Sequence, residues 1–204
     1  MESKLRWGAK VLSYDGHDLG KLTRVVLHPK SGDVTHIVVE KGVFNRVAKL
    51  VPISTVFFAA SDEIRLKIEA EELDTLQNYE EAYFVTGDST EGGLTPLYWL
   101  RPVGDYSELY PLPPVSTTSN ISEDSKALEP GCSLMTAEGK EIGRIMSVIM
   151  DDTGHMTHLA VEVKGSSGKS KKLVPVDWIC EIGECSVKIS ASKVMVERLP
   201  DQSG

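Results

Sequence analysis

The same stretch of sequence is written twice in this chain. Residues 8–76 and 131–199 align at one offset that is interrupted once: Gly8 with Gly131, Asp15-Gly16 with Glu138-Gly139, Leu19-Gly20-Lys21-Leu22 with Ile142-Gly143-Arg144-Ile145, and Val25-Val26-Leu27 with Val148-Ile149-Met150. One residue is lost in the next turn, so Gly32 matches Gly154, and Thr35-His36-Ile37-Val38-Val39-Glu40 matches Thr157-His158-Leu159-Ala160-Val161-Glu162. The first spacing returns at Leu50-Val51-Pro52-Ile53 against Leu173-Val174-Pro175-Val176. A duplicated unit of this length predicts two copies of one small module, each with a modest core.

Each copy reads as short strands. Ala9 to Ser13 ends at Asp15-Gly16, a tight-turn dipeptide. Leu19 to Leu27 is closed by His28-Pro29-Lys30-Ser31-Gly32, which carries turn chemistry. Val34 to Glu40 is the third strand and Lys49 to Ile53 the fourth, where Pro52 lacks a ladder donor and belongs at an edge or bulge. In the fifth, Ile64, Leu66 and Ile68 alternate with Glu63, Arg65 and Lys67. Glu69 to Tyr79 predicts a short helix, since Leu73 and Leu76 lie one turn apart among Glu, Asp and Gln. Short strands at this spacing point to an all-β fold of two small closed barrels, closure being one way to remove exposed strand edges.

The glycine-punctuated pattern, with D/E-G-x-x-I/L-G-K/R, then T-H-I/L-x-V-E, then L-V-P, resembles the PRC-barrel domain, named for the H subunit of the photosynthetic reaction centre. It stands here as Asp15-Gly16, Leu19-Gly20-Lys21 and Leu50-Val51-Pro52, and again as Glu138-Gly139, Ile142-Gly143-Arg144 and Leu173-Val174-Pro175. The resemblance implies two tandem PRC-type barrels and an adaptor role without catalytic residues. Relatives include the cytoplasmic part of the reaction-centre subunit and the C-terminal domain of a ribosome-maturation factor. The transmembrane helix of the first and the preceding domain of the second have no counterpart here, so neither role carries over.

The expected organisation is a first barrel over 1–79, a connector over 80–130 and a second barrel over 131–204. The connector holds Tyr98, Trp99, Tyr106 and Tyr110 in its front half, too aromatic for a simple disordered linker. Trp99, Tyr106 and Tyr110 are candidate anchors for a partner or a dimer interface, the other reading being that Tyr98, Trp99 and Leu100 fold back onto the first barrel and complete its core or cover an open edge. Pro111 to Glu129, rich in Pro, Ser and Thr, reads as a flexible or extended tether.

A net charge of -8 argues against a nucleic-acid binder as a whole. Basic residues still cluster in two equivalent loops, 41–49 with Lys41, Arg46 and Lys49, and 164–172 with Lys164, Lys169, Lys171 and Lys172. These are the candidate contacts for RNA or an acidic protein patch. His36 and His158 occupy equivalent positions and are expected to be structural. His155 and His158, beside Asp151 and Asp152, are the nearest approach to a metal-ligand set, but the spacing matches no standard site, and no metal or cofactor is expected. Cys132, Cys180 and Cys185 are an odd count without metal spacing, read as packing or incidental residues and as free thiols in a reducing compartment. The first residues lack an apolar signal-peptide core, and no window is long enough to span a bilayer, which predicts a cytoplasmic protein without direct membrane insertion.

No nucleophile elbow, P-loop or dinucleotide fingerprint occurs. The expected function is a non-catalytic adaptor docking on a protein complex, with homo-oligomerisation open. An RNA- or ribosome-associated factor and an accessory subunit of a photosynthetic or electron-transfer complex are the alternatives.

Overall fold

A computed structural model of the chain describes residues 3–42, 47–60, 62–85, 115–119, 121–122, 124–165, 168–183 and 185–201. In chain order the first repeat region gives β1 (Ser3–Arg6), β2 (Lys10–Leu12), β3 (Asp18–Leu27), β4 (Val34–Lys41), β5 (Val47–Pro52), a 3-10 turn over Ile53–Thr55, β6 (Val56–Ala59), β7 (Glu63–Leu66) and helix α1 (Ala70–Thr75). Next come β8 (Glu81–Val85) and β9 (Val115–Ser119). The second region gives β10 (Lys126–Leu128), β11 (Ser133–Thr136), β12 (Glu141–Met150), β13 (Met156–Gly165), β14 (Gly168–Pro175), a 3-10 turn over Val176–Trp178, β15 (Ile179–Ile182), β16 (Ser186–Ile189) and helix α2 (Lys193–Glu197).

The predicted strands form because their apolar residues alternate. In β7, Ile64 and Leu66 are buried while Arg65 points to solvent. Helix α1 starts on a reciprocal capping box between Glu69 and Glu72 and buries Leu73. The two repeats fold alike: one sheet runs β5-β4-β3-β2-β7-β6, the other β14-β13-β12-β11-β16-β15, and in each the fourth and fifth strands of that order, β2 with β7 or β11 with β16, are parallel. Among the described residues the ladder does not join the last strand back to the first. Each ladder there ends at β6 or β15 on one side and at β5 or β14 on the other. Pro52 and Pro175 stand at the ends of the opposite edge strands, where a missing donor costs little.

The pattern of each repeat alone does not reveal how the two combine. Strand β1 pairs not with its own repeat but with β12, Leu5 opposite Val148. Strand β10 pairs in the same register with β3, Leu128 opposite Val25. Each repeat therefore receives a seventh strand from the segment preceding the other. Room for it exists because β3 and β12 are long and carry matching register shifts, at Leu22/Arg24 and Ile145/Ser147. A bulge bends the strand there, so β2 pairs with the first half of β3 and β10 with the second. Leu5 and Leu128 are fully buried, and both belong to one apolar cluster that includes Val25, Ile37 and Ile64 of the first repeat and Val148, Leu159 and Val187 of the second.

By internal contacts, Met1–Tyr79 and Ile121–Gly204 form one compact unit, and Glu80–Asn120 a separate one. The extended tether expected over Pro111 to Glu129 is corrected in two places. Val115–Ser119 pairs antiparallel with Glu81–Val85, and Lys126–Leu128 belongs to the first repeat's sheet. No helix among the described residues is long and apolar enough to cross a membrane.

Candidate functional site

At the centre of the two-repeat unit, equivalent turns meet. Val34 N donates to Gly154 O at 3.0 Å, and Met156 N donates to Gly32 O at 3.0 Å. These are the same bond made twice, so a local twofold axis passes between Asp33 and His155, which form an isolated antiparallel bridge. Their side chains meet as well, His155 Nδ1 lying 3.0 Å from Asp33 Oδ1. The Asp33 carboxyl is held below its usual value, first by the Ser31 hydroxyl and then by His155. The pair lies on the solvent side of the seam, where such contacts add little.

His155 is thereby committed to the seam rather than to a metal. Asp151 is also occupied: its Oδ1 accepts from Thr153 N at 2.9 Å, Thr153 Oγ1 at 2.6 Å and His155 N at 3.0 Å. That is turn closure within one loop. His158 lies on β13 opposite Ile149 and Pro175, and His36 lies on β4 opposite Val26 and Pro52. Burial lowers the His36 pKa. Neither imidazole has a hydrogen-bond partner among the described residues, and both lie along the ladder of their strands. Among those residues no three His, Cys, Asp or Glu side chains gather as a metal site would need.

Two of the cations read from the sequence in the basic loops, Lys172 and Lys49, are taken up by the fold. Lys172 is only 6% exposed. Its Nζ donates to Leu199 O at 2.5 Å and lies 2.9 Å from Asp201 Oδ1. Lys49 does the same in the first repeat, donating to Asp74 O at 2.8 Å and Leu76 O at 2.9 Å. Both lysines tie the segment after the terminal helix to an edge strand. Lys172 is therefore corrected from a binding residue to a structural one. It shares a strand face with buried Val174, an alternation that could have identified it. Lys169 is paired with Glu162 at 2.9 Å, while Lys41 and Lys171 are exposed. Arg46, Trp99, Tyr106 and Tyr110 lie outside the described residues. We expect Lys172→Met to lower unfolding free energy by about 1–3 kcal/mol, because a buried carbonyl and a carboxylate lose their donor. Lys171→Met should stay within about 0.5 kcal/mol in the same denaturant titration.

A surface that the sequence reading passed over lies at the open edge of the first repeat. Tyr14 is 73% exposed, Phe57 47% and Phe58 40%. The Tyr14 and Phe57 rings approach to 6.4 Å between centroids at a tilt of 55°. Phe57 and Phe58 sit on β6, the last strand of the sheet, whose strand partner among the described residues is β7. They line a groove of about 420 Å³ between β6 and the β12–β13 turn, with Val56 and Met150 among its apolar walls, Lys67 on one side and Asp151 and Asp152 on the other.

The second repeat supplies an internal comparison. By the repeat alignment, Tyr14, Phe57 and Phe58 become Ala137, Cys180 and Glu181. There Glu181 pairs with Lys188 across β15 and β16 at 2.7 Å. A charged pair of that kind blunts an edge against association. In the first repeat Arg65, the counterpart of Lys188, turns instead to Glu63 at 2.6 Å. Large apolar side chains exposed on one edge and a charged pair on its twin is the signal by which this surface could have been found from sequence.

No curated protein matches the chain. The family model for the PRC-barrel domain matches residues 7–73 and 131–203, the two stretches that fold into the paired sheets. The chain belongs to the PRC-barrel family and carries the domain twice.

Proposed function

We propose that the chain is a non-catalytic adaptor that docks a protein partner on the aromatic edge of its first barrel. The observation that carries this is the exposed Tyr14, Phe57 and Phe58 cluster on an edge strand, absent from the second copy of the same module. Aromatics of this kind dominate the energetics of interfaces. A strand at the end of a ladder can add a partner strand. The occupant is an extended peptide segment of the partner with apolar side chains for the phenylalanines. Asp151 and Asp152 give that end of the groove an acidic character, which favours a Lys or Arg in the segment. The three free thiols fit a reducing compartment such as the cytoplasm. The alternative of RNA binding has less to support it, since Lys172 and Lys49 serve the fold and Lys169 is paired.

The test replaces the cluster with the residues of the second repeat, in a Tyr14→Ala, Phe57→Cys, Phe58→Glu variant. A photo-crosslinking amino acid at position 58, used in the native host, identifies the bound peptide, which is then synthesised and titrated. The expected result is a crosslink to an apolar, extended segment with a basic residue, and at least a tenfold weaker affinity in the variant with unchanged Tm. Equal affinity in the variant, or crosslinks found only to another copy of this chain, would overturn the proposal.

A further inference from the structure

The second barrel carries a pair of thiols that the first lacks. Cys132 Sγ lies 3.5 Å from Cys185 Sγ. The two cysteines precede β11 and β16, parallel neighbours whose next residues, Ser133 and Ser186, stand opposite each other. Ser133 N donates to Cys185 O at 3.1 Å, which continues the ladder through the cysteines. Neighbouring strands lie about 4.8 Å apart, inside the Cα separation of about 4.4–6.8 Å that a disulfide bridges. In the first repeat the same positions hold Ala9 and Asp62, so the common fold does not require this pair.

We propose that Cys132 and Cys185 form a reversible disulfide, driven by a peroxide, that locks the second barrel. The two thiols are placed unequally, which sets the order of events. Cys185 is exposed and Cys132 is fully buried. Burial pushes the Cys132 thiol up to about 12, with the nearby Cys185 adding to the rise, so Cys132 remains protonated at neutral pH. The nucleophile toward solvent is the Cys185 thiolate. It attacks one oxygen of hydrogen peroxide; the O–O bond breaks, hydroxide leaves and Cys185 becomes a sulfenic acid. The Cys132 sulfur then attacks the Cys185 sulfur, the S–O bond breaks, and the hydroxyl leaves as water with the Cys132 proton. The two cysteines lose two electrons in all, and the peroxide is reduced to two waters. A dithiol reductant reverses the step by exchange. The bond joins two strands far apart in sequence but adjacent in the sheet, so it restrains the unfolded chain more than the folded one.

The test treats the purified full chain with stoichiometric hydrogen peroxide and maps its peptides without reduction. The expected product is a Cys132–Cys185 crosslinked peptide with loss of two hydrogens, a free Cys180, and a Tm several degrees above the reduced protein, restored by dithiothreitol. Cys180→Ser should behave as wild type. In Cys132→Ala, which installs the alanine of the first repeat, Cys185 should trap a sulfenic-acid probe without crosslinking. Accumulation of Cys185 sulfinic acid beside free Cys132 in the wild-type chain would overturn the proposal. So would a bond that uses Cys180 or joins two chains.

Discussion

Leu128→Ala is expected to lower the stability of both barrels at once. The side chain is fully buried, and its strand β10 hydrogen bonds to β3 of the other repeat. Removing a buried leucine to alanine costs about 2–5 kcal/mol, or a Tm decrease of about 10 °C for a unit of this size. Leu5→Ala is its mirror: β1 lies on β12, and Leu5 is equally buried. Each variant should melt in one calorimetric transition, displaced as a whole, because the repeats share one apolar cluster. Two transitions, with only one displaced, would mean that the barrels hold separately and that the exchanged strands do not couple them. Val194→Ala, at an exposed site on α2, is the control and should stay within about 0.5 kcal/mol.

The second large effect is expected at Gly20. Its φ is +125°, and a Cβ there would stand 2.3 Å from Glu40 O and 2.8 Å from Glu40 C, both backbone atoms of the neighbouring strand. A side chain is disfavoured by the dihedral and by the contact together. The strand cannot yield without breaking the β3–β4 ladder, which pairs Lys21 with Glu40. Gly20→Ala should cost about 3–5 kcal/mol, the sum of a strained dihedral and an overpacked contact. Gly143 is the counterpart, with Glu162 O at 2.3 Å from a built Cβ, but the contact alone is the penalty there. Gly143→Ala should therefore cost less, about 1–3 kcal/mol. Urea titrations of the two variants rank them; the reverse order would mean that the left-handed dihedral at Gly20 is not the source of the larger loss.

Much of the fold is legible in the sequence, for local reasons. Ile64 and Leu66 alternate with Glu63 and Arg65, and Glu69 faces Glu72 across the first turn of α1; each signal is complete within a few residues. The exchanged strands are not legible. Ser3-Lys4-Leu5-Arg6 and Lys126-Ala127-Leu128-Glu129 share only the leucine, and each finds its partner strand in the other half of the chain. The outer partners of that leucine differ as well: Arg6 pairs with Asp62 at 2.8 Å, whereas Glu129 pairs with Arg24 at 2.8 Å. The family match begins at residues 7 and 131, after both strands. The site was harder still. The lysine-rich stretch before Leu173 looks like a solvated loop until its strand alternation is followed to Val174, which turns Lys172 inward. The aromatic edge is visible only by difference, when Phe57 and Phe58 are set beside Cys180 and Glu181.

The local twofold at Asp33 and His155 relates two repeats that are no longer identical. Two separate copies of a module, joined about the same axis, would display two identical edges and could bridge two ligands. They would also be forced to place like residues face to face on the axis. A single chain is free of that constraint: an acid meets an imidazole at the centre, and among the described residues the exposed aromatic rings Tyr14, Phe57 and Phe58 all belong to the first repeat.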